Sequence, residues 1–180
     1  MSVATIHGSI LEIDTKAVSD DGLFHGYASA WGVLDSHRDI VTKGAFTKSL
    51  AARPATKVKM LRGHDQSEPI GIWDSLVEDE RGLKATGRLI LDTAKGRETH
   101  ALMKAGALDG LSIGFRTVKD RMDRTKGARI LEEIDLWEIS VVTFPSNPQS
   151  TVTAVKTSAS DMSLRELVEA INGARATIRK

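Results

Sequence analysis

Five residues around position 112 carry the first chemical signal. Gly110-Leu111-Ser112-Ile113-Gly114 matches G-x-S-x-G, the strand-to-helix turn that exposes the nucleophilic serine of α/β-hydrolases. That turn needs a helix after the serine, whereas Ile113 to Val118 continues with the texture of a strand. The hydrolase order also needs a histidine after the serine, and the last histidine here is His100. Chain order alone therefore excludes an α/β-hydrolase. What survives is a serine between two glycines on a strand, where the missing side chains leave room for a substrate backbone to approach. The pentapeptide also fits a small residue chosen for tight packing.

If Ser112 is a nucleophile, its base precedes it, which leaves His7, His25, His37, His64 and His100. His7 and His25 lie in strand-like runs, and His100 sits in the polar helical stretch Arg97-Glu98-Thr99-His100. His37, in the polar loop Asp35-Ser36-His37-Arg38-Asp39, is the serious rival. His64 follows Val58-Lys59-Met60-Leu61 and lies in Gly63-His64-Asp65, a strand end from which a loop can aim a side chain into a site. An imidazole near neutral pH can take a hydroxyl proton.

A third group commonly fixes the tautomer of such an imidazole. Leu136-Trp137-Glu138-Ile139-Ser140 puts a carboxylate in an apolar run, and an ionised carboxylate there needs water, a cation or hydrogen-bond donors. Glu138 could meet that need through a histidine, or through an arginine or lysine on a neighbouring strand. Asp135 is the alternative acid, although strand alternation places it on the opposite face.

The elements that must position these groups are mostly strands. Strand-like runs separated by Gly and Asp turns fall at 4–13, 24–34, 57–62, 70–77, 83–91, 110–118 and 128–144, with helical patterns at Lys43–Ala52 and Thr93–Ala105, the second ending at Gly106. The pattern predicts an α+β, mainly β fold: a closed or nearly closed barrel of about seven strands with a few helices around it. The runs at 110–118 and 128–144 are apolar on both faces and read as central strands. After Pro148 the composition shifts to Ser, Thr and Ala, so the domain is expected over 1–156, with a linker and an amphipathic helix over 157–180. Ser163 and Glu166 form its capping box, and Leu164, Leu167, Val168 and Ile171 its apolar face.

Composition removes several classes. In 180 residues, 25 Lys and Arg nearly balance 24 Asp and Glu, so no phosphate-binding charge footprint stands out and nucleic acid is not the expected partner. There is no cysteine, hence no disulfide or thiolate chemistry. No stretch approaches the roughly 20 apolar residues of a membrane span, and the chain reads as soluble and cytoplasmic.

These pieces together resemble the prohead proteases of tailed phages, the caudovirus capsid maturation proteases, from about Gly26 to Lys156. The resemblance rests on Gly26-Tyr27-Ala28, Asp35-Ser36 with Asp39-Ile40-Val41, Lys43-Gly44-Ala45-Phe46, Lys59-Met60-Leu61 with His64-Asp65, and Pro69-Ile70-Gly71. It continues through Gly106 with Leu108, Gly110 to Phe115, and Leu136 with Glu138 to Thr143, then Pro145 and Asn147-Pro148. It implies a fold like that of the herpesvirus assembly proteases and a serine endopeptidase that uses no cofactor or metal. The family's serine and histidine fall on Ser112 and His64, and its acid most naturally on Glu138. Arg62 stands where an aromatic is commoner. The implied substrates are the scaffold or the scaffolding extension of the major capsid protein, and the enzyme itself, inside the immature capsid in the host cytoplasm. By the same analogy, backbone N–H groups of the Thr143–Asn147 loop would form the oxyanion hole, and the Asp35–Ala45 turns would serve structure. An esterase using the same groups, a silent barrel that binds scaffold or capsid protein, and a homo-oligomer stay open on the sequence.

Overall fold

A computed structural model of the chain describes residues 18–153. The expected strand at 4–13 and the linker and helix at 157–180 lie outside the described residues. Within them, eight strands form one sheet: β1 (Leu23–Ala30), β2 (Asp39–Val41), β3 (Lys59–Arg62), β4 (Asp65–Glu78), β5 (Gly82–Leu89), β6 (Gly110–Asp123), β7 (Ala128–Val142) and β8 (Val152–Thr153). Two α-helices accompany them, α1 (Thr47–Ala52) and α2 (Ala94–Lys104). None of the described helices is long and apolar enough to cross a membrane.

The strand order is β2-β7-β3-β4-β5-β1-β8, with β6 paired antiparallel to β7 on its other edge. β7 is the spine. One edge carries β2 beside its first half and β3 beside its last, both parallel, and the other edge carries β6 throughout. The sheet curls until its ends meet: β8 pairs with β1, and the residues just before it reach β6, where Gly110 faces Thr151 and Leu111 N–H donates to the Ser150 carbonyl at 3.0 Å. The architecture is therefore the mainly β, curled barrel that the strand pattern predicts. Its interior is filled by large apolar side chains from nearly every wall strand, including Phe24, Met60, Trp73, Leu83, Leu111 and Ile139. Phe24 and Trp73 meet edge to face with ring centroids 5.5 Å apart.

Three expectations are corrected. β7 is central, but β6 beyond Leu111 is not. Its outer edge is bridged only at its start among the described residues, and it runs on to Asp123 as an exposed hairpin arm with Val118 and Met122 in solvent. Trp137 and Phe144 are also exposed, because a continuous apolar run does not say which of its members the sheet covers. β2 is a strand where the sequence suggests turns: Asp39–Val41 adds three parallel residues to β7 and ties down through the Arg129 guanidinium, which donates to both oxygens of buried Asp39 at 2.8 and 2.6 Å. α1 is shorter than its pattern, since Lys43–Phe46 is spent on a turn whose Phe46 N–H donates to Glu78 at 3.1 Å. α2 matches its signals: Thr93 caps it by accepting the Gly96 N–H at 3.0 Å, and Gly106 follows its end at φ +73°.

The core should end where the arm begins. Leu136→Ala, fully buried, should cost about 2–5 kcal/mol in chemical denaturation. Val118→Ala, 53 % exposed, should stay within about 0.5 kcal/mol. Equal losses from the two would contradict this boundary.

Candidate active site

Ser112 owes its surroundings to the register of β6 on β7. It lies directly opposite Ser140, and Gly114 directly opposite Glu138, so all four occupy one face. Their neighbours Leu111, Ile139 and Val141 point the other way into the core. The flanking glycines make room for the protein's own groups. A Cβ at position 114 would overlap the Glu138 carboxylate, and one at 110 would press on the Pro145 ring at 2.7 Å. Gly114 makes room for the acid, and Gly110 for the following loop.

His64 sits at the tip of a tight hairpin. Arg62 and Asp65 are paired, and the two residues between them, Gly63 and His64, both have left-handed backbones, φ +62° and +63°. Two successive positive φ angles characterise the two-residue turn whose twist matches its strands. Glycine adopts this conformation freely; a histidine there carries backbone strain that the surroundings must hold. Both turn amides dock on β7: Gly63 N–H donates to the Val141 carbonyl and His64 N–H to Ser140 Oγ, each at 3.0 Å.

The turn aims the imidazole at Glu138, with His64 Nδ1 2.6 Å from Glu138 Oε1. The second carboxylate oxygen accepts the Ser140 hydroxyl at 2.7 Å. An ionised carboxylate can only accept, so Nδ1 carries the proton and Nε2 keeps a free lone pair for proton transfer. The Glu138 side chain is 13 % exposed and that of His64 43 %. The bond to Glu138 raises the histidine above its ordinary pKa, burial opposes it, and the charge of Glu138 adds to the rise.

Ser112 lines a cavity of about 340 Å³ whose walls include Ser29, Asp35, His37, Ser146 and Asn147. His64 lines a neighbouring hollow of about 300 Å³ with Trp137, Arg116 and Glu138, and the two spaces share Gly114 and Phe115. His64 bonds to Ser140 and Glu138; among the described residues no hydrogen bond joins it to Ser112 Oγ. Nucleophile–base bonds are often loose in a free enzyme and tighten with substrate.

The rivals have other surroundings. His37 stands on the wall of the Ser112 cavity, with Nδ1 3.4 Å from Ser36 Oγ. His25 is held below its ordinary value by burial, and His100 bonds the Ser19 carbonyl at 2.8 Å. The parity argument against Asp135 fails, because a register shift leaves Trp137 as an extra residue between the Glu138 and Leu136 pairs and so breaks the alternation. What engages Asp135 is Arg53, at 2.9 Å, and the Trp137 indole N–H, at 2.8 Å. That indole bond, then the guanidinium, holds its carboxyl below the usual range. Sequence reasoning gave no part in the site to Ser140 or Trp137; a hydroxyl two residues from the acid was the available signal for the first. Among the described residues no three His, Asp or Glu side chains converge as a metal site requires.

Proton NMR of the imidazole should find His64 titrating above the free-histidine value of about 6.5, and Glu138→Gln should bring it down. Because the folded value is raised, the pair stabilises the fold fully below the unfolded pKa and loses that contribution as pH rises through the folded one. A His64 that titrates at or below the free value would break the assignment.

Residues 11–165 match the family model of the caudovirus prohead serine proteases. Among curated relatives, the prohead protease of Enterobacteria phage HK97 is 39 % identical over 156 residues, spanning 86 % of this chain and 69 % of the relative. That of Escherichia phage T5 is 29 % identical over 148 residues, 82 % of this chain and 69 % of the relative. Two solved structures share the fold: the bacteriophage T4 capsid assembly protease, at TM-score 0.57 and 18 % identity over 69 % of this chain and 84 % of that one, and a KSHV protease with a hexapeptide phosphonate inhibitor, at TM-score 0.52 and 12 % identity over 73 % and 63 %. With most of its length inside the family model and a relative at 39 % identity, the chain belongs to the caudovirus prohead serine protease family.

Proposed function

We propose that the chain is a serine endopeptidase in which Ser112, His64 and Glu138 act together. Family membership supports a capsid maturation protease role. The observation that carries the finer reading is the short His64–Glu138 contact, built on the same sheet face as Ser112 by one β6–β7 register.

In this reading Ser112 Oγ attacks the scissile carbonyl carbon while its proton passes to His64 Nε2. The imidazolium, held by Glu138, gives that proton to the leaving amine as the C–N bond breaks. A water then repeats the sequence on the acyl-enzyme, with His64 again taking a proton and returning it to Ser112. Backbone N–H groups of the Thr143–Asn147 loop would receive the oxyanion, and the placing of Ser146 and Asn147 on the Ser112 cavity wall supports this. The substrates are the scaffold or the scaffolding extension of the major capsid protein, and the chain itself, cut inside the immature capsid. His37, also on that wall, is the base to be tested against His64.

Co-expression with the phage's major capsid protein, followed by mass spectrometry of both chains, tests the reading. Ser112→Ala and His64→Ala should each slow cleavage by about 10⁴-fold or more with the fold kept, and the double variant should be little worse than either. Glu138→Gln should cost about 10²- to 10⁴-fold, whereas His37→Ala and Asp135→Asn should keep most activity. Normal processing by Ser112→Ala would falsify the nucleophile, and an inactive His37→Ala beside an active His64→Ala would move the base.

A further inference from the structure

Ser140 is fully buried, and its one hydroxyl serves two groups of the site at once. It donates its proton to Glu138 Oε2 at 2.7 Å and accepts the backbone N–H of His64 at 3.0 Å. A serine hydroxyl has a single donor, so Glu138 takes all of its donating capacity. The acid and the base come from different elements, β7 and the β3–β4 turn, and their side chains meet at one contact. The Ser140 hydroxyl closes a ring around that contact, running from the His64 amide through Ser140 to the carboxylate and back to the imidazole.

We infer that Ser140 is a positioning residue for the His64–Glu138 pair: its hydroxyl orients the carboxylate and holds the strained turn that carries the base. This rests on the proposed Ser112–His64–Glu138 reading. Two observations argue against simple packing. An apolar residue of similar size would fill the space, yet it would leave the His64 N–H without a partner and Glu138 Oε2 without a donor. The His64 backbone is left-handed as well, a conformation that persists in a non-glycine residue only where neighbours impose it, and here the amide of that residue is the one Ser140 holds.

The ring also predicts how the base titrates. Among the charged groups around the imidazole, Glu138 from β7 and Arg116 from β6 line the same hollow, and Asp65 is next in the chain. Asp65 is occupied by Ser67, whose N–H and hydroxyl donate to its Oδ1 at 2.8 and 2.7 Å. Glu138 is therefore the group through which a change at Ser140 reaches His64.

The test measures covalent labelling of Ser112 by a fluorophosphonate probe, which needs no identified substrate, over roughly pH 5 to 9. Ser140→Ala should slow the maximal labelling rate about 10- to 100-fold, with half-saturating probe concentration within about twofold, and the acid limb of the rate should move to lower pH. In the double variant Ser140→Ala/Glu138→Gln the rate should lie within about threefold of Glu138→Gln alone, since both changes cut the same ring. Labelling of Ser140→Ala at the unmutated rate with an unmoved acid limb would overturn the inference, as would a double variant in which the two losses multiply. Labelling of Ser112→Ala would instead sink the underlying site, so the two failures are distinct. If Ser140→Ala does not fold, hydrogen exchange of the unmutated chain decides. The His64 amide should be as protected as that of Gly63, and exchange at the speed of an exposed loop would overturn the inference.

Discussion

Ser112 faces Ser140 and Gly114 faces Glu138 in a single antiparallel register, and the site depends on that alignment. A slip of one residue would turn Ser112 and Gly114 into the barrel and bring Leu111 and Ile113 out. The register is pinned from the opposite face, where Leu111, Ile139 and Val141 are fully buried and Ile113 packs against them. β7 is pinned in turn by its other edge, since β3 runs parallel to residues 138–141 and ends in the turn that bears His64. The same pairing that fixes the acid therefore fixes the distance to the base.

Glu138 shows why an acid can stand in so apolar a strand. Burying an ionised carboxylate is costly unless it is paired and hydrogen-bonded, and here one oxygen meets the imidazole and the other a hydroxyl. The arrangement suits both charge states of the base. With neutral His64 the carboxylate accepts two hydrogen bonds, and when the imidazole takes a proton the same contact becomes an ion pair without any group having to move. The half-exposed imidazole keeps access to a substrate, while the carboxylate behind it is covered.

Much of this was legible because it follows from local rules. The strand-like runs between Gly and Asp turns mark β1, β5 and β7, Thr93 and Gly106 bound α2, and chain order removes the hydrolase elbow although the pentapeptide matches it. What was not legible depends on contacts distant in sequence. β2 and β8, at three and two residues, carry too little pattern to detect and exist because β7 and β1 offer them edges. The bulge at Trp137 has no local marker, so strand alternation misjudged Asp135. The glycines around Ser112 mark sites of close approach, but whether substrate, Pro145 or Glu138 approaches is decided by the partner strand and loop.

Arg62 joins these threads at the stem of the turn that carries the base. Its guanidinium reaches Glu68 on β4 at 3.0 Å and Glu98 on α2 at 2.9 Å, and Lys95 of α2 pairs with Glu68 as well. The arginine clamps hairpin and helix together with charge. The turn is thus gripped twice, at its stem by α2 and at its tip by the amides docked on β7. The grips differ in kind. Arg62 and Glu98 are part-exposed and answer to ionic strength, whereas Ser140 is sealed from solvent and does not. The strained backbone of His64 lies at the end that Ser140 holds.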